Sequence, residues 1–167
     1  MGLVLFPVGL ATHEVMHLAV YSAMGYRAAL LVTQWRLGTT DVQIFGLHAA
    51  PLDPPTVPVG LLVTNNLLGP LLAAMLLLII RVAAGSGASR ALRAALLGNV
   101  LALLFFAGIE AAYPLLESLE HIRADVLLLP ELNYGGVLLL LAAAAALPSR
   151  AAGGPRVRMG GPATVSR

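Results

Sequence analysis

His13-Glu14-Val15-Met16-His17 is the stretch of this sequence whose residue types and spacing point most directly to chemistry. Side chains four apart on a helix stand one above the other, so His13 and His17 face the same way, one turn apart. Two imidazole nitrogens placed like that reach a single Zn²⁺ at about 2.0–2.1 Å. Glu14 projects at a neighbouring angle, where its carboxylate addresses water at the metal rather than the metal itself. There it takes a proton from water and later hands it to a leaving amine. The chain has no cysteine, so any metal site must be built from His, Asp or Glu. Two other readings compete: a haem-binding histidine pair, which leaves Glu14 without a task, and a polar helix contact with no metal.

Two histidines leave zinc short of a third protein ligand. Glu110, Glu117, His121 and Asp125 fall at i, i+7, i+11 and i+15, forming one polar stripe if a helix continues that far. Asp125 opens the next apolar segment, and its short carboxylate is favoured as the third ligand. Glu110 and Glu117 follow it, with His121 behind. The competing reading is a solvated rim in which Glu117, Glu120 and Arg123 pair. Further back, Asn65-Asn66-Leu67-Leu68-Gly69-Pro70 sets two amides beside a helix-distorting Gly-Pro. Pro70 frees a backbone carbonyl near position 66. Asn66 and Asn65 are candidate substrate contacts, or else interhelical hydrogen bonds. His48 reads as a surface histidine and Asp41 as turn chemistry.

The elements that must position these groups are apolar. Hydrophobic residues make up 59% of the 167-residue chain and charged residues 11%, with mean hydropathy +0.88. That leaves too little charge to cover a water-soluble domain of this size. Four segments reach the roughly 20 residues a membrane span requires: 3–24, 57–82, 92–116 and 126–147. The expected fold is an all-α integral membrane domain over 1–147, with about four transmembrane helices. Ionisable groups in the middle of such a helix cost about 2.5–3.5 kcal/mol when charged, and usually mark function. The first segment lacks the basic lead-in of a secretory signal and is read as a retained helix.

Residues 28–47 read as a β-hairpin, with Thr, Val, Ile and aromatics around a Gly-containing turn. The prolines at 51, 54, 55 and 58 are expected to forbid regular structure before the second span. Residues 148–167 are rich in Gly, Pro and Arg and read as a disordered tail. Every basic residue is arginine, and no basic face with interleaved aromatics appears, which argues against nucleic-acid binding. Seven arginines fall on the side of the termini and three on the other, placing the termini in the cytoplasm.

With HExxH in the first span and a strand-turn-strand after it, the chain resembles the site-2 protease class of intramembrane zinc metalloproteases. Within that class it is similar to small bacterial M50-type members. The resemblance covers roughly residues 3–130. It implies a zinc cofactor, with His13 and His17 as ligands, Glu14 as catalytic base, and Asp125 as the later ligand. Asn66 and Pro70 would lie on the substrate-contacting helix. It further implies a transmembrane protein substrate, cleaved in or next to its membrane segment, and a bacterial cytoplasmic membrane location. The family's third ligand usually lies in an Asp-Gly pair, whereas Val126 follows Asp125 here. Many members carry Gly-Pro before Asn, an order reversed in this chain.

Overall fold

The computed structural model describes residues 2–36, 43–53, 56–119 and 130–146. Four helices and one antiparallel hairpin follow in the order α1 (Gly2–Ala23), β1 (Arg27–Arg36), β2 (Gln43–Asp53), α2 (Val59–Ala83), α3 (Arg90–Ser118) and α4 (Pro130–Ala146). The hairpin thus sits between the first two helices, as its Thr-, Ile- and aromatic-bearing sequence leads one to expect.

Helix α1 stops at Gly25, whose φ of 86° only glycine adopts without strain. The Gly25 N–H donates to the Ser22 carbonyl at 3.1 Å and the Tyr26 N–H to the Tyr21 carbonyl at 3.0 Å. This pair of reversed bonds is a Schellman closure. The rings of Tyr21 and Tyr26 meet edge-on at 6.3 Å and seal it. The chain therefore leaves α1 in a defined direction and enters β1 two residues later.

Strand β2 runs further than the sequence suggests, through Pro51 to Asp53. Proline is tolerated there because the register slips between Arg27 and Ala28, opposite Pro51 and Asp53, and because among the described residues β2 pairs with β1 alone. The hairpin packs against α1.

Helix α3 packs between α2 and α4, and α1 lies across α2 and α3. Ser89 caps α3, its hydroxyl accepting from the Leu92 N–H at 3.1 Å. The α2–α3 contact is built on small residues: Ala73 and Ala74 meet Leu96, Val100 and Leu103, with Leu5 and Met16 of α1 against them. Small side chains let helix backbones approach closely. At Gly98 and Gly136 a Cβ would lie 2.8 Å from the end of the Leu141 side chain and 2.5 Å from the Phe105 ring, so glycine lets α3 and α4 pack closely without shifting those side chains.

Val4–Ala23, Val59–Ala83 and Arg90–Ser118 are each long and apolar enough to cross a membrane. The expected fourth span is shorter among the described residues: α4 has 17 residues and begins at Pro130, a residue suited to the first turn of a helix. Large apolar side chains such as Val8, Val15, Ile79, Ile80, Leu104 and Leu139 point outward, whereas His13, Glu14, His17, Asn65 and Asn99 are buried. Polar groups inside and apolar groups outside invert the pattern of a soluble bundle.

Candidate metal centre

His13 and His17 project from one face of α1 toward Glu110 of α3. Their Nε2 atoms stand 2.6 Å apart, and Glu110 Oε2 lies 3.2 Å from the first and 3.0 Å from the second. The three residues can offer one ligand atom each to a common metal ion. His13 is only 1% exposed, while the Glu110 side chain is 26% exposed and forms the open side of the cluster.

Four neighbours build the surroundings. The Phe106 ring, one turn before Glu110, stacks on His13 with centroids 5.8 Å apart and an interplanar angle of 24°. Gly69 of α2 lies flat against the other imidazole, and a Cβ there would meet the His17 ring at 2.5–2.7 Å. The Asn65 side chain, 1% exposed, brings Nδ2 to 3.0 Å from His17 Nδ1. Asn66 donates from Nδ2 to the backbone carbonyl of Glu110 at 2.8 Å. That carbonyl lacks its usual helical partner, because residue 114 is proline and has no N–H. Proline in α3 thus creates an acceptor, and α2 supplies the donor.

Glu14 is buried and turns to the hairpin, where its Oε2 accepts from the Ala49 N–H at 2.7 Å. Ala49 pairs across the hairpin with Leu30, so this N–H leaves β2 on the edge away from β1. The strand edge fixes one carboxylate oxygen of the residue beside the first imidazole.

The donor set is of a kind that could hold a metal ion. Ligand atoms around a tetrahedral ion at about 2.0–2.1 Å stand about 3.3 Å from one another. Both Glu110 separations match that spacing. The two imidazole nitrogens, 2.6 Å apart, stand closer than that spacing. Two histidines with one glutamate are a ligand set known for catalytic zinc, which keeps its fourth position open.

The structure brings His13 and His17 together, with Glu14 beside them, and adds Glu110 from the group of candidates ranked behind Asp125. Asp125, His121 and Glu120 lie outside the described residues. Glu117 is exposed near the end of α3. Both asparagines are engaged with the cluster, one with a ring and one with the Glu110 backbone. Gly69, Phe106 and the Ala49 amide were not anticipated. A Glu-x-x-x-Pro spacing at 110–114 was a readable signal for Glu110, since it marks a freed carbonyl inside an apolar helix. No family model, curated protein or solved structure matches this chain.

Proposed function

We propose that this chain is an intramembrane zinc metalloprotease that hydrolyses a peptide bond in or next to the transmembrane segment of another protein. The observation that carries the reading is the convergence of His13 Nε2, His17 Nε2 and Glu110 Oε2 inside a bundle whose outer face is apolar. Buried ionisable groups in such surroundings are costly and mark function.

In this reading His13, His17 and Glu110 hold the zinc ion. Zinc supplies Lewis acidity toward a carbonyl oxygen and toward water, whose pKa falls toward about 7 at such sites. Glu14 takes the proton of the attacking water as the new C–O bond forms at the scissile carbonyl. It then delivers that proton to the amine nitrogen as the C–N bond breaks. The Ala49 amide holds Oε2 of Glu14, which leaves Oε1 for the transfer. Phe106 and Gly69 keep the imidazoles from turning, so the donors are set before substrate arrives. Water and substrate approach from the Glu110 side, where the cluster is most exposed.

The apolar outer face sits in the bilayer of a bacterial cytoplasmic membrane. The Gly85-Ser86-Gly87 connection and both termini face the cytoplasm, and the hairpin faces the opposite side. A helical substrate must unwind locally to present its bond, because a helix keeps its carbonyls hydrogen-bonded.

A second reading has one observation in its favour. Glu110 Oε2 lies within hydrogen-bond distance of both imidazoles, a contact that a non-catalytic scaffold would also make. Purified protein separates the two. The protease reading expects bound zinc and cleavage of a transmembrane substrate, with Glu14→Gln keeping the zinc and losing the cleavage. Bound zinc with undiminished cleavage in that variant refutes the mechanism.

A further inference from the structure

The amide of Asn65 touches His17 on the nitrogen that does not face the cluster. Its Nδ2 lies 3.0 Å from His17 Nδ1, while its Oδ1 is buried without a partner. The Tyr21 hydroxyl bonds the same side chain. Donation from Nδ2 requires the lone pair to sit on Nδ1. The ring proton is then on Nε2, where it donates to Glu110 Oε2 at 3.0 Å. That arrangement leaves His13 Nε2, 2.6 Å away, able only to accept, and it blocks metal ligation by His17, because a protonated ring nitrogen has no lone pair to give.

A half-turn of the amide about χ2 exchanges its two ends within nearly the same volume. Oδ1 then faces His17 Nδ1 and the Tyr21 hydroxyl, both of which can donate to it, while Nδ2 takes the buried place that held the unpartnered oxygen. The ring proton moves to Nδ1 and Nε2 gains its lone pair. Metal-bound histidines commonly donate their second ring N–H to an oxygen, which fixes tautomer and ring orientation. His13 has no comparable partner, since its Nδ1 is buried and unpaired.

We propose that Asn65 is a positioning residue for His17: with its oxygen end toward Nδ1 it fixes the tautomer whose Nε2 lone pair faces the cluster. The inference rests on the metal reading above but not on proteolysis. Gly69 belongs to the device, because only a residue without Cβ lets α2 approach the ring closely enough for Asn65 to reach Nδ1.

Zinc affinity measured by chelator competition, with ¹⁵N NMR of the histidine rings, tests it. Asn65→Asp can only accept at this position and should bind zinc at least as tightly as the unsubstituted protein. Asn65→Leu cannot accept and should bind 10–100-fold more weakly, the usual range for a lost outer partner. In the unsubstituted, zinc-loaded protein, the His17 ring proton should sit on Nδ1. Equal affinity in Asn65→Leu, affinity more than tenfold weaker in Asn65→Asp, or a zinc-loaded His17 without a proton on Nδ1 would overturn the inference and leave the metal site standing. An unsubstituted protein that binds no zinc would overturn the metal reading, and this inference with it.

Discussion

The Asn66 amide donates to the Glu110 carbonyl at 2.8 Å, and it does so because Pro114 cannot. One proline thus ties α2 to α3 at the residue that completes the cluster. A hydrogen bond between helices in apolar surroundings contributes about 0.6 kcal/mol on average, up to about 1.7. Asn66→Ala should lower thermal stability in detergent by that order and weaken zinc binding by loosening Glu110. Pro114→Ala restores the N–H that the carbonyl lacks. In the Asn66→Ala background it should therefore recover part of the loss, and strictly additive effects in the double variant would contradict the link.

Gly69→Ala places a methyl group at 2.5–2.7 Å from the His17 ring, which must turn away. Zinc affinity should fall by more than tenfold while helix content by circular dichroism stays unchanged. Gly60→Ala is the control: a Cβ there meets nothing within 4 Å, and the substitution should stabilise α2 by up to about 1 kcal/mol. Similar zinc affinity in both variants would contradict the tight cradle around His17.

Glu110→Gln removes the anionic donor and should reduce zinc affinity at least tenfold, read by chelator competition. Asp125→Asn should leave it near that of the unsubstituted protein. The reverse result would move the third ligand to Asp125 and reduce Glu110 to a hydrogen-bonding neighbour of the two rings.

The chain has no cysteine, so single-cysteine variants can be labelled without background. Ser86→Cys in the α2–α3 connection and His48→Cys on β2 should react with membrane-impermeant reagent from opposite sides of sealed vesicles. Labelling of both from one side would contradict the proposed orientation.

Much of this arrangement was legible in the residues. The HExxH spacing places two imidazoles on one helix face whatever surrounds them, and the hairpin's Thr, Val, Ile and aromatic content marks its strands. That Glu110 meets the two rings was not legible, because helical phase alone does not say how far α3 slides along α1 and α2; His121 and Asp125 lie outside the described residues. Pro114 held that information, since a freed carbonyl needs a donor and Asn66 lies at the matching level of α2. Asn65 read equally as a substrate contact or an interhelical hydrogen bond, and its contact with His17 was not legible because an amide in an apolar helix shows no partner in one dimension. The Ala49 amide left no trace, as backbone groups have no sequence signature. Pro51 misled in the other direction, since a two-stranded sheet with a register slip accepts a proline that a central strand would refuse.

Zinc K-edge absorption of the purified, zinc-loaded protein tests the metal centre most directly. The expected spectrum shows two imidazole nitrogens at about 2.0–2.1 Å, with the remaining ligands oxygen. Loss of the imidazole signature in His17→Ala should accompany it. A first shell made only of solvent oxygens, or one that His17→Ala leaves unchanged, would contradict the account.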